Sequence, residues 1–171
     1  MGKVRALAAM IIIASIFSGC TTLKGVFSND SGRIAQEFFN DLQKSDRQAA
    51  YNLLAKGLSQ KISFNQFDEL MVSMEGQWGR IVDTETALMP FHNRLGERNF
   101  IPLGVPEEKI RRYTFDVKFD NAELNCDLTL VPQEDQYKIV WISFWGSNTY
   151  LTPAIREKLE RLFPKSSDSG Q

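Results

Sequence analysis

The stretch YTFDVKFDNAELNCDLTL, residues 113–130, decides the fold of this chain. Apolar side chains occupy every second position in both of its halves, which is the period of a β-strand with one buried face. Asp120-Asn121 lies between the halves and supplies residues that tolerate turn geometry. The stretch therefore predicts two antiparallel strands joined in a hairpin.

Two further strands are predicted on either side of this hairpin. Pro132 to Gln136 indicates a second turn, and Tyr137 to Trp145 is apolar on both faces, which favours a strand in the sheet interior. Before the hairpin, Ile81 to Met89 is rich in β-branched residues and predicts another strand.

Helical patterns precede and follow the strands. Residues 34–42 repeat apolar side chains at helical spacing. Ser45 to Gln48 and Ser63 to Gln66 both have the capping-box pattern that begins a helix, and Gly76 is the predicted end of the third one. Thr152-Pro153 predicts the start of a last helix, which Pro164 would end. The order indicates an α+β fold, with helices packed on one face of an antiparallel sheet.

This arrangement resembles the nuclear transport factor 2-like superfamily. The resemblance covers roughly residues 31 to 147 and is carried by EFFNDL at 37–42, the 46–54 helix with Ala50-Tyr51, the 63–74 helix, and YKIVWI at 137–142. It implies a curved sheet that wraps the helices into a cone, whose mouth holds an active site, a ligand pocket or nothing. The C-terminal helix would be an addition to that pattern.

The N-terminus carries the strongest signal of location. Lys3 and Arg5 precede an apolar run from Ala6 to Phe17, which is too short to span a bilayer as a helix and is typical of a secretion signal. Residues 17–20, FSGC, resemble the lipobox of bacterial lipoproteins, although Phe17 stands where Leu is usual. The resemblance implies cleavage after residue 19 and lipid on Cys20; the alternative is an ordinary secretory signal.

The predicted organisation follows from that signal. We expect a signal peptide at 1–19, the lipidated cysteine and a flexible tether at 20–29, one α+β domain at 30–164 and a disordered tail at 165–171. Thr21 follows the lipobox cysteine, and by resemblance to Gram-negative lipoproteins this implies the outer membrane, facing the periplasm. The membrane would be contacted through the N-terminal lipid.

The composition limits the classes of function. The chain has 171 residues, of which 43% are hydrophobic, and a net charge of −1, which disfavours a nucleic-acid partner. A chain of this length can bury a core without a metal or a disulfide. Cys126 is expected to be a buried small hydrophobe; the alternative is a reactive thiol.

The catalytic signatures that the sequence could carry are mostly missing. His92 is the single histidine, so a two-histidine zinc site cannot form within one chain, and the common nucleophile-elbow, phosphate-loop and dinucleotide motifs are not present. We therefore predict no catalytic residue, metal or cofactor. One alternative is a dehydratase-like, isomerase-like or hydrolytic enzyme that uses His92 with Asp83, Asp116 or Asp127.

The remaining candidates concern binding. An apolar ligand site is predicted at a set of mainly aromatic residues, namely Trp78, His92, Tyr113, Trp141 and Trp145. The segment 93–109 is either a long binding loop or contains a short strand at 99–103. Basic and acidic side chains are interleaved in and just after this segment, which predicts a solvated surface; the alternative is a contact with an anionic headgroup. The basic residues are Arg94, Arg98, Lys109, Arg111 and Arg112, and the acidic ones are Glu97, Glu107 and Glu108.

These observations lead to a non-enzymatic, lipid-anchored envelope protein that binds an apolar small molecule or another envelope protein. A structural module without a ligand is a further alternative.

Overall fold

The computed structural model describes residues 30–87, 97, 100–145 and 153–162. Within these ranges the elements are α1 (Asp30–Gln43), α2 (Arg47–Asn52), α3 (Lys56–Ser59), α4 (Phe64–Trp78), β1 (Ile81–Thr86), β2 (Arg111–Phe119), β3 (Glu123–Gln133), β4 (Gln136–Trp145) and α5 (Pro153–Leu162). The signal peptide, Cys20, the tether, His92 and the tail at 165–171 lie outside the described residues. The fold is α+β, with helices followed by an antiparallel sheet.

The four described strands form one sheet in the order β1-β2-β3-β4, and every neighbouring pair is antiparallel. The predicted hairpin is confirmed: Val117 pairs with Leu124, and Tyr113 pairs with Leu128. The second turn is also present and is tighter than predicted, because β3 continues to Gln133 and the chain reverses at Glu134, which has a φ of 56°.

The helices pack on one face of this sheet, called the helix face below. The ring of Phe39 on α1 lies 4.7 Å from the ring of Phe115 on β2, and both side chains are fully buried. Phe38, on the same helix, contacts Phe67 of α4 at 6.4 Å between centroids. The apolar side chains that alternate along β2 and those that recur at helical spacing along α1 therefore pack together in one core.

The second helix begins differently from the prediction. Asp46, and not Ser45, is the N-cap: its Oδ1 accepts a hydrogen bond from the backbone N–H of Ala49 at 3.0 Å. Ser45 has a φ of 59° and forms part of the turn after α1. Both residue types cap helices well, so the tight turn decides which of the two faces the free amides.

Helix α4 has the predicted capping box, in which Ser63 accepts from Gln66 N and the Gln66 side chain accepts from Ser63 N. The helix was predicted to end near Gly76, and it continues two residues further, to Trp78. Gly79 ends it with a φ of 84°, and a Cβ there would lie 2.5 Å from the Cβ of Asp120. Gly79 therefore satisfies both the left-handed backbone and the close approach of the hairpin turn.

The prediction that Tyr137–Trp145 lies in the sheet interior is wrong for the described sheet, where β4 is an outer strand. Its apolar character on both faces has another cause: helices cover one face, and the segment around Phe100 covers the other, where its ring lies 5.2 Å from that of Trp141. Part of the edge is also occupied, because Leu54 forms a parallel bridge with Ile139.

The last helix, α5, packs against α4. Lys158 Nζ donates to Ser73 Oγ at 2.6 Å, and Ile155 and Leu162 are buried. Among the described helices, none has the length and apolar character needed to cross a bilayer.

Candidate functional site

The face of the sheet opposite the helices, called the outer face below, carries a regular grid of side chains. Residues directly opposite in antiparallel strands point to the same face. The strand register therefore aligns three rows across β2, β3 and β4, which are Arg112-Thr129-Trp141, Thr114-Asp127-Ser143 and Asp116-Asn125-Trp145. The first two rows contain several buried polar groups, which is unusual for a sheet face and makes this region the candidate functional site.

The first row is closed by a buried ion pair. Glu97 is 1% exposed, and its Oε1 accepts from Arg112 Nε at 2.9 Å and from Arg112 Nη2 at 2.5 Å. Its Oε2 accepts from Thr129 Oγ1 at 2.8 Å. Arg112 Nη1 reaches the exposed Glu107 at 2.7 Å. The hydrogen bond to Glu97 is the main reason that the pKa of Arg112 is raised, so this guanidinium stays charged.

The second row holds a carboxylate with no exposed surface. Asp127 Oδ1 accepts from Thr114 Oγ1 at 2.7 Å, and Asp127 Oδ2 accepts from the indole N–H of Trp145 at 3.0 Å. These bonds compensate the cost of burying the charge and fix the orientation of the Trp145 ring. Trp145 itself is only partly buried, so its ring is held at the border between core and solvent.

Together these residues form the buried polar cluster, defined here as Glu97, Arg112, Thr114, Asp127 and Thr129. The prediction of a solvated surface is wrong for Glu97, which is buried, and for Arg112, whose side chain is 16% exposed and pairs with it. Of the two alternatives for segment 93–109, the described residues 100–103 form turns and bends and no strand. The segment places Glu97 and Phe100 as a cover over the first row of the grid.

The chemistry available to this cluster is limited by its own hydrogen bonds. Each oxygen of both buried carboxylates already accepts from a protein donor, which suits a structural polar network better than proton exchange with a substrate. Within the described ranges, His, Cys, Asp and Glu form no group of three or more placed to hold a metal ion. His92, which the enzyme alternative would use with a carboxylate, lies outside those ranges.

Cys126 is next to Asp127 on β3, and its side chain is on the opposite face of the sheet. It is fully buried on the helix face, as predicted, and burial, followed by the nearby charge of Asp127, holds the pKa of its thiol well above the usual value. A thiol in this state is a weak nucleophile.

The structure places the predicted ligand-binding residues in different locations. Trp78 packs against Phe119 at 5.5 Å and is 3% exposed. Tyr113 lies on the helix face, where its hydroxyl is 2.8 Å from Ser31 Oγ. Trp141 and Trp145 share the outer face with Phe100, so these two members of the predicted set lie on one surface.

Sequence reasoning missed the buried polar cluster, although Asp127 was named as a possible partner of His92. Its strand members occupy the polar side of an alternating pattern, and Glu97 lies outside the described strands. The one sequence feature that pointed to the cluster was that β4 is apolar on both faces, which indicates a covering layer on its outer face. A layer on the outer face of β4 also has to cover the adjacent β3 positions, and polar residues buried there require partners.

Comparison with known proteins assigns no family to this chain. The chain matches no protein-family model, and neither the curated proteins nor the solved structures provide a significant match. The class that the fold defines is therefore the coarse one, an α+β protein with helices followed by a four-stranded antiparallel sheet.

Proposed function

We propose that this protein is a lipoprotein of the bacterial cell envelope that acts by binding. The proposed location is supported by the basic residues and apolar run at the start of the chain, followed by FSGC at 17–20. Lipid on Cys20 would hold the domain at the outer membrane, on the periplasmic side. Several acyl chains anchor a protein durably, whereas a single chain binds marginally.

We further propose that the domain has the nuclear transport factor 2-like arrangement, with α5 as an addition. The order of α1, α2, α4 and the antiparallel strands is compatible with it. Because folds of this kind host unrelated functions, the function has to be argued from the site.

The observation that carries the binding proposal is the setting of Trp145. Its ring is partly exposed on the outer face, and its indole N–H is fixed by the buried Asp127. The third row of the grid places Asn125 beside it, and Asn125 Nδ2 donates to Oδ1 of Asp116, which lies one strand further on. A ring that is already oriented loses little conformational entropy when it binds, and it offers a large apolar contact area.

The proposed ligand is an apolar small molecule or an apolar side chain of another envelope protein. The carboxylates of the buried polar cluster serve to position Trp145 and its strand, and no catalytic residue is assigned.

Fluorescence quenching tests the binding surface. Trp78 and Trp141 are 3% and 2% exposed, so a soluble quencher such as acrylamide should act mainly on Trp145. We expect full-length protein isolated with its co-purifying lipids, or crosslinked to its envelope partner, to be protected from quenching. Trp145→Phe should keep the ligand and Trp145→Ser should lose it. Equal lipid content and equal crosslinks in wild type and Trp145→Ser would contradict this binding site.

Labelling with palmitate tests the address separately. We expect the wild-type chain to incorporate labelled palmitate and Cys20→Ser to incorporate none. Incorporation by the serine variant, or a wild-type chain that stays unprocessed in the cytosol, would show that the proposed anchor is wrong.

A further inference from the structure

The most exposed large apolar side chain among the described residues is at the tip of the turn between Phe100 and the short 3-10 helix Glu107–Lys109. Leu103 is 104% exposed, whereas Val72 and Val82 are 48% and 50% exposed. It lies within Ile-Pro-Leu-Gly-Val-Pro, residues 101–106, a run of six residues without a charge. Full exposure of a leucine is unfavourable in water by roughly 1.5–3 kcal/mol relative to its burial.

This leucine is held outward by an ordered turn. The backbone N–H of Val105 donates to the carbonyl of Pro102 at 3.3 Å, and Gly104 has a φ of 87°, the conformation that a type II turn requires at its third position. Ile101 and Val105 pack against the core on both sides of the tip.

The base of the turn is fixed as well. Phe100, which precedes the turn, packs on Trp141, and the Glu97–Arg112 ion pair holds the chain on either side of it to the sheet. The fold therefore presents Leu103 at a defined position, and little entropy would be lost when it is buried by a partner.

The chain that would carry the lipid enters the domain near the strand that follows this turn. α1 begins at Asp30, ten residues after Cys20, and Ser31 Oγ lies 2.8 Å from the hydroxyl of Tyr113 near the start of β2. Ten residues span at most about 35 Å, which limits the distance of the start of α1 from an anchored Cys20. Leu103 is also ten residues from Tyr113 along the chain, so the same limit applies to the distance between their backbones.

From this geometry we propose that Leu103 and its turn are a second membrane contact, which inserts into the interface of the bilayer that carries the lipid anchor. The proposal rests on the anchor proposed above. A bilayer is favoured over a protein partner because one projecting side chain provides far less than the roughly 1,000 Å² that a stable protein interface buries. A single apolar side chain is sufficient for a domain that its lipid already holds at the surface.

The charges near the turn predict the character of this contact. Arg112 pairs with both Glu97 and Glu107. Among the described residues at 97 and 100–112, three acidic side chains accompany three basic ones, namely Glu97, Glu107, Glu108, Lys109, Arg111 and Arg112. Opposite charges are therefore close together, and the contact should depend little on salt or on anionic lipid.

A nitroxide spin label at position 103 tests the proposal on the full-length, lipidated protein in phosphatidylethanolamine/phosphatidylglycerol vesicles. Leu103→Cys supplies the attachment site, and Val72→Cys on α4 is the matched control. Cys126 is buried and should not react with the label. We expect the label at 103 to lie about 5–10 Å within the headgroup/acyl boundary, more accessible to oxygen than to a water-soluble nickel chelate. The label at 72 should show the opposite preference.

Three results would overturn the proposal in distinguishable ways. If palmitate is present and the labels at 103 and 72 are equally accessible to the nickel chelate, the membrane contact fails while the anchor stands. If the label at 103 is shielded from both reagents only when other envelope proteins are added, the partner is a protein. If the chain carries no lipid, the anchor fails first, and the inference falls with it.

Discussion

Replacement of Arg112 by methionine tests the idea that the buried polar cluster holds Glu97 and the described residues that follow it, from Phe100 to Ile110, on the sheet. Arg112→Met removes both donors to Oε1 of Glu97, whereas the hydrogen bond from Thr129 Oγ1 to Oε2 of the same buried carboxylate remains. Breaking a buried pair in this way costs about 3–5 kcal/mol, mostly because one charge stays buried without compensation.

The double variant with Glu97→Met and Arg112→Met should cost much less than the sum of the two single variants, because replacing both partners removes the buried charge together with its counterion. Arg33→Met is the matched control. Arg33 also bridges two carboxylates, Asp30 and Glu37, but its side chain is 59% exposed, so we expect a loss below about 1 kcal/mol.

Urea unfolding followed by far-UV circular dichroism gives the free energies of unfolding for all four variants. Equal destabilisation by Arg112→Met and Arg33→Met, or additive effects of Glu97→Met and Arg112→Met, would mean that the Glu97–Arg112 pair is effectively solvated and does not hold the segment.

Three further predictions concern single positions. Gly79→Ala should lower the free energy of unfolding by more than about 1 kcal/mol, because it combines a positive φ with a steric clash. Gly57→Ala, in α3 with no atom near its added Cβ, should be neutral or stabilising. Thermal unfolding of both variants checks this. The raised pKa of Cys126 keeps its thiol protonated in the folded state, so its contribution to stability is complete below roughly pH 8.5 and declines above it by up to about 1.4 kcal/mol per pH unit. Cys126→Ala should remove that part of the decline, and an unchanged slope would count against the burial argument. Asp46→Ala should cost about 1 kcal/mol and Ser45→Ala much less, and equal losses in urea unfolding would show that the cap is misassigned.

The elements that were predicted correctly are those whose signal is local. The alternation in 113–130 and the spacing of Phe38 and Phe39 fix which side chains must share a face, and this information is contained in a few consecutive residues. Element ends were less predictable. Gly76 and Gly79 are both glycines and could each end a helix. The close approach of Asp120 in the hairpin turn determines that α4 ends at Gly79.

The position of β4 in the sheet could not be obtained from its own residues. A strand that is apolar on both faces is covered on both faces, but coverage is equally compatible with a central strand and with an outer strand lying between two layers. The second layer here comes from the segment around Phe100, whose residues have no regular period.

The candidate site shows the same division. Trp141 and Trp145 were correctly assigned to one strand, and the strand period of two places them on one face. Trp78 and Tyr113 were assigned to the same ligand set, but they are on elements whose relative placement depends on packing.

The sequence alone determined the kind of elements, their order, the α+β class and the buried state of Cys126, because hydrophobic period and local turn chemistry act over a few residues. Tertiary structure alone decided that Glu97 is buried against Arg112, that Asp127 orients Trp145 and that Leu103 projects from an ordered turn. These features depend on contacts between residues far apart in the chain. Whether a charged or apolar side chain is buried is not determined until those contacts form.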